Sequence, residues 1–261
     1  MRVVTLACSN TEIVCALDCA DRLVGCDDHS DYPPDVVAGV ARVGPDLTPD
    51  MDAIAALEPD LVIASLTVPG HEKIVEQLEA RGLPHIALEP TALEHVERDI
   101  RTIAEHLDVV DRGEALVADL RSQLETPPPQ LDTRPPRIAV QWWPKPVILP
   151  GRHSWVTDLL ELAGGVNPLA DRDVKSSPLT DEELRDLEPD AIVISWCGVK
   201  TEKYRPDVIY RNPLWQDVPA LVHRRIYPIP EAWLGRPSPL LTQGLEALRQ
   251  VVVETSTDLG S

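Results

Sequence analysis

Phenylalanine is absent from the 261 residues, so six tryptophans and four tyrosines supply all of the aromatic surface. No apolar stretch reaches the roughly 18 to 20 residues that a helix needs to cross a bilayer, and the chain is not expected to span a membrane. Positive charge is scarce: 24 Lys and Arg against 43 Asp and Glu leave a formal net charge of −19. Such a field repels a nucleic-acid backbone and an anionic membrane surface. Nucleic acid is therefore not an expected partner, and the acidic residues read as a solvated exterior. The opening residues carry no charged n-region, no long apolar h-region and no small-residue cleavage site. Five cysteines, an odd number, do not form the framework of a small secreted domain. Together these features predict a cytoplasmic protein, or a periplasmic or extracellular one if a leader has been removed. A Gly-x-Ser-x-Gly elbow, a phosphate loop and a His-Glu-x-x-His helix are also missing, which points to binding without catalysis.

What is present is an internal echo. Leu57-Glu58-Pro59-Asp60-Leu61-Val62-Ile63-Ala64-Ser65 returns as Leu187-Glu188-Pro189-Asp190-Ala191-Ile192-Val193-Ile194-Ser195. In each copy the proline ends a helix, because it disfavours helical geometry in the residue before it, and the apolar run that follows predicts a strand buried on both faces. Upstream, Arg2–Leu6 and Arg137–Gln141 read as strands that lead into apolar helices at Glu12–Leu17 and Trp155–Ala163. The pattern predicts an α/β protein of two Rossmann-like lobes with parallel sheets, residues 1–90 and 137–261. Between them Leu93, Val96, Ile100, Ile103 and Leu107 recur at helical spacing, continued by Leu116, Leu120 and Leu124. This predicts one long rigid helix over 91–126, broken if anywhere near Gly113. A proline-rich connection, 127–136, follows it. Such a bridge would permit only small changes in the opening of a ligand cleft between the lobes.

The opening Arg2–Glu12, then Arg22-Leu23-Val24-Gly25, Ser30-Asp31-Tyr32-Pro33-Pro34 and Leu57–Val62, resembles the first lobe of the helical-backbone (class III) substrate-binding proteins of ABC transporters. Leu162-Ala163-Gly164-Gly165, Pro168-Leu169, Trp233–Pro239 and Gly244-Leu245-Glu246 resemble the second lobe. Ser30–Pro34 and Trp233–Pro239 are most similar to the cobalamin-binding branch, and Cys197-Gly198 resembles a leaderless, cytosolic subgroup. The resemblance implies a non-catalytic protein that holds a corrinoid, cobalamin or cobinamide, for delivery to an ABC permease or for intracellular handling. It implies that His29 takes the place of an aromatic residue that touches the corrin. It also implies that Trp233 and Arg236 lie on the ligand-contacting loop of the second lobe, and that Glu72 is an acidic docking position for the permease. Ala232 departs from the branch by replacing an acidic residue.

The residues themselves suggest what lines such a cleft. Ligands of open α/β sheets sit beyond the carboxyl ends of the strands, where Trp142, Trp143, Trp196 and Trp233 are expected to fall. Trp155 and Trp215 read as core aromatics. Cys8, His29 and Cys197 are expected at strand ends too. Thiolate and imidazole are ligands for zinc, iron or an iron-sulfur cluster, so the alternative is a cytosolic metal or cluster protein, enzymatic or not. Haem and ferric-siderophore binding is a third reading. Asn10 is placed to cap the first helix or to meet a ligand. Cys15 and Cys19 stand four apart on that helix's apolar face. Arg236, between Gly235 and Pro237, is placed to donate to ligand amides or carboxylates.

Overall fold

The computed structural model describes residues 1–257, and these form two compact units. The first comprises Met1–Pro90 and Glu94–Arg121; the second comprises Thr91–Leu93 and the chain from Ser122 onward. In the first unit the elements run β1 (Val3–Thr5), α1 (Cys8–Ala16), β2 (Leu23–Cys26), α2 (Pro34–Val37), β3 (Ala41–Arg42), α3 (Met51–Ala56), β4 (Leu61–Ser65), α4 (His71–Ala80) and β5 (His85–Leu88). All five strands are parallel, in the order β3-β2-β1-β4-β5. The central pair explains this arrangement. Val3 and Val4 of β1 and Val62 and Ile63 of β4 are buried, as continuous apolar strands must be when helices cover both faces of a sheet.

In the second unit β6 (Ile138–Gln141), β10 (Ala191–Ile194) and β11 (Ile226–Pro228) form a parallel sheet in the order β11-β10-β6. An antiparallel sheet joins β7 (Trp143–Pro144), β8 (Val147–Pro150) and β9 (Ser176–Leu179). Helices α7 (Trp155–Ala163), α8 (Asp181–Asp186), α9 (Pro206–Tyr210), α10 (Pro219–Val222), α11 (Glu231–Leu234) and α12 (Leu241–Thr257) complete it. Trp155 and Trp215 are buried, as expected of core aromatics.

The sequence echo is also a structural one. Helices α3 and α8 both stop before their Leu-Glu pair, and Glu58 and Glu188 both turn left-handed at φ 45°. Proline shuts each glutamate out of the right-handed helical region. The aspartate after each proline then pins the start of the unit's first parallel strand. Asp60 accepts from Arg2 N at 2.6 Å while Arg2 Nε donates to Leu57 O at 2.8 Å. Asp190 accepts from Arg137 N at 2.7 Å while Arg137 Nε donates to Leu187 O at 3.1 Å.

The connection differs from the single helix that the sequence predicts. The stripe is divided between α5 (Leu93–His106) and α6 (Val110–Leu124), and the break falls at Asp108, left-handed at φ 55°, rather than at Gly113. The two helices run antiparallel, with Arg101 Nε bonded to Glu114 at 2.8 Å and Arg121 Nε to Glu97 at 2.9 Å. Gly113 lies inside α6, where a Cβ would come within 2.5 Å of the Ala104 Cβ. It permits close helix packing instead of ending a helix. Val96, Ile100, Ile103 and Leu107 are buried, so the periodicity identified the buried face but not the reversal.

Candidate functional site

In the first unit, crossovers leave β1 on one side and β4 on the other, so the sheet's switch point lies between these two strands and their carboxyl ends mark the place for a ligand. Helix α1 starts there. Its N-cap is Ala7, without a side-chain bond, and Asn10 lies within the first turn instead of capping it. Asn10 is buried, and Nδ2 donates to Ile63 O at 3.1 Å and Ala64 O at 3.2 Å. It ties α1 to the end of β4. Cys15 is half-buried on α1, and its thiol is pushed up to about 11 by burial and then by Glu12. Cys19 lies beyond the helix end and is fully buried, so the two do not share a helical face.

Asp27, which follows β2, organises the loop that carries His29. Its Oδ1 accepts from His29 N at 2.8 Å and from Cys8 Sγ at 3.8 Å, and its Oδ2 accepts from Ser30 Oγ at 2.6 Å. Thr11 joins Ser30 at 2.7 Å and Thr5 at 2.6 Å. With the carboxylate accepting at one end, each hydroxyl donates toward it in turn. Arg42 Nη1 donates to Asp27 O and Ser30 O, both at 2.7 Å. Burial raises the Asp27 pKa against the pull of the Ser30 and His29 hydrogen bonds.

The His29 side chain is 47% exposed, with Nε2 3.7 Å from Asp46 Oδ1. His71, at the start of α4, is buried and approaches Asp46 Oδ2 at 3.8 Å. Interaction with His71 holds the Asp46 carboxyl below its usual range despite burial, and His29 adds to the effect. Tyr32, Leu47 and Val68, exposed apolar side chains, occupy the loops that follow β2, β3 and β4. Glu72 is exposed on α4, where its Oε2 accepts from Gly70 N at 2.9 Å.

In the second unit the equivalent strand ends carry tryptophan. Trp143, just past β6, is 41% exposed, and its Nε1 donates to Lys145 O at 3.2 Å. Trp142 is half-buried and packs on Trp155, ring centres 5.8 Å apart. Trp155 in turn donates to Leu234 O at 2.8 Å. This ties the indole pair to α11, on which half-buried Trp233 stands. Gly244 gives that helix room: a Cβ there would lie 2.1 Å from Trp233 O. The structure thus links Trp142, Trp155 and the Trp233 helix, while Trp143 stands beside Trp142 in sequence.

Two candidates are not free to meet a ligand in this way. Trp196 is 6% exposed, packs edge-on against Tyr204 at 5.5 Å and donates to Gln141 Oε1 at 2.9 Å. It belongs to the core. Arg236 is also buried, and its Nε meets Glu231 Oε2 at 2.9 Å. The guanidinium braces the α11 turn instead of projecting from it. Cys197 is exposed, with its amide on Trp142 O at 3.0 Å. Among the described residues no group of three or more His, Cys, Asp or Glu is placed to hold a metal ion; Cys8 and His29 belong to the first unit and Cys197 to the second. Asp27, Asp46, His71 and Glu231 escaped sequence reading. Only Asp27 left a signal, as an acid two residues before His29 where a side chain can accept from the turn amide.

No helix among the described residues is long and apolar enough to cross a membrane. A sequence model for periplasmic binding proteins matches residues 3–232. An uncharacterised ABC transporter substrate-binding lipoprotein of Bacillus subtilis is 26% identical over 258 residues, 96% of this chain and 79% of its own. A vitamin B12-binding protein of Vibrio cholerae is 26% identical over 252 residues, 96% of this chain and 87% of its own. Among solved structures, a periplasmic haem-binding protein of Roseiflexus in apo form superposes with a TM-score of 0.82 at 25% identity, covering 98% of each chain.

Proposed function

The chain belongs to the periplasmic binding protein family, and on that premise we propose that it binds a corrinoid, cobalamin or cobinamide, for hand-over to an ABC-type permease. The observation that carries this reading is the indole group at the end of β6: Trp143 is 41% exposed beside a Trp142 already packed on Trp155. A rigid, flat, partly apolar face suits a macrocycle and loses little entropy on binding. Similarity to the vitamin B12-binding protein along nearly the whole chain supports the choice of a corrin. The proposed contacts are Trp142, Trp143 and Trp233 in the second unit and His29 in the first. Asn10, Cys8 and Arg236 serve as bracing behind them. Glu72 is the proposed acidic contact for the permease.

Titration with cobalamin and cobinamide tests the reading. Both should quench tryptophan fluorescence, and Trp143→Ala should weaken binding by about 1 to 3 kcal/mol, the range for a truncated aromatic anchor. Absence of heat and of quenching at high micromolar corrinoid would remove it. Similarity to the haem-binding protein of Roseiflexus favours haem as a second reading. Haem belongs in the same titration, and saturable haem binding without corrinoid binding would select it.

A further inference from the structure

His29 and His71 address the two oxygens of one carboxylate, and their hydrogen bonds fix what each ring nitrogen can do. His71 Nδ1 accepts from Val68 N at 3.4 Å, so its proton sits on Nε2. That Nε2 is buried, finds no hydrogen-bond partner, and points toward Asp46 Oδ2 at 3.8 Å. The other oxygen faces His29 Nε2 at 3.7 Å. A carboxylate favours a proton on the nitrogen nearest to it, which leaves the His29 Nδ1 lone pair on a side chain that is 47% exposed. The backbone beneath is fixed independently by Asp27, which accepts from His29 N at 2.8 Å. The Asp27 carboxyl also feels both members of the pair, Asp46 raising its pKa and His29 lowering it. Both imidazole–carboxylate gaps exceed hydrogen-bond length. The Asp46 charge therefore attracts the N–H dipole of each neutral ring, and an electron-withdrawing metal on His29 would strengthen that attraction.

We propose that His29 gives its Nδ1 lone pair to the exchangeable axial position of the ligand's metal, with Asp46 as the positioning residue and His71 behind it. This rests on the corrinoid reading above. The step is a ligand exchange: a nitrogen–cobalt bond forms, the axial water leaves, and the cobalt keeps its oxidation state. Imidazole is a suitable ligand for such a borderline metal.

Aquocobinamide, which has a labile axial water, and dicyanocobinamide, in which cyanide fills both positions, separate the outcomes. Bound aquocobinamide should change its visible spectrum and dicyanocobinamide should not. His29→Ala should abolish the spectral change and weaken aquocobinamide binding more than dicyanocobinamide binding. Asp46→Asn should lower the ratio of aquocobinamide to dicyanocobinamide affinity about tenfold, the usual effect of losing a partner behind a metal-bound histidine. Asp46→Glu should recover part of that ratio. An unchanged aquocobinamide spectrum with quenching intact would overturn the axial role and leave the corrinoid reading standing. No quenching by either corrinoid would remove both.

Discussion

Asp60 and Asp190 close the same loop of hydrogen bonds in the two units, yet the Asp60 side chain is 56% exposed and that of Asp190 only 2%. The shared part is backbone chemistry. In both copies a left-handed glutamate before proline turns the chain, and an aspartate receives the amide of the arginine that opens the unit's strand. The unshared part is burial and the kind of cation beside the carboxylate: Arg134 grips both oxygens of Asp190, at 2.7 and 2.8 Å, whereas the Met1 amino group stands 3.8 Å from Asp60. Identical hydrogen-bond geometry therefore carries unequal weight, because an unsatisfied group costs little where water can replace its partner and much where it cannot.

Asp190→Ala should produce the largest effect, about 3 kcal/mol, since it removes a buried carboxylate on which the Arg137 amide and the Arg134 guanidinium both depend. All six tryptophans lie in the second unit, so urea unfolding followed by fluorescence reports this loss directly. A shift below about 1 kcal/mol would show that water reaches the Asp190 position. Asp60→Ala should cost about 1 kcal/mol or less, because its carboxylate is already half in water. Fluorescence is blind to that unit, so amide exchange in Leu61–Ser65 is the appropriate measurement. Protection falling as far as it does in Ala191–Ile194 of the Asp190 variant would erase the difference between the copies. The smallest effects are expected from Glu58→Gly and Glu188→Gly. Each should stabilise by about 0.5 kcal/mol, because glycine adopts positive φ without the steric penalty but loses more chain entropy. Equal gains in thermal midpoint would show that the turn is the same in both units, and unequal gains that surroundings override it.

The legible part of this molecule was the part written in apolar periodicity and proline. The echo at Leu57 and Leu187, the buried strands and the core roles of Trp155 and Trp215 all follow from those signals. The helical hairpin was not legible, because Val96 to Leu107 and Leu116 to Leu124 keep one apolar spacing and only the backbone of Asp108 reverses the chain. At the candidate site, Trp142 and Trp143 follow β6 and His29 follows β2, the strand-end positions that the sequence predicts for them. Neither strand-end nor loop position reveals the burial of Trp196 and Arg236, which their partners decide: Gln141 and Tyr204 enclose the indole, and Glu231 takes the guanidinium. Asp46 and His71 lie 17 and 42 residues beyond His29 in the chain, and no local pattern joins them.

The hairpin also decides where this chain can be divided. Arg22 donates to Leu107 O, and Arg112 donates to Leu17 O at 3.2 Å and to Asp18 O at 2.8 Å. Residues 94–121 thus belong with a sheet that ended before them. A fragment stopped at Pro90 would strip these bonds from the end of α1 and should be a poor candidate for independent folding. One extended to Arg121 keeps them but stops within the last turn of α6. A protease seeking the border between the units finds part of it inside a helix, and must wait for that turn to unwind before it can cleave there.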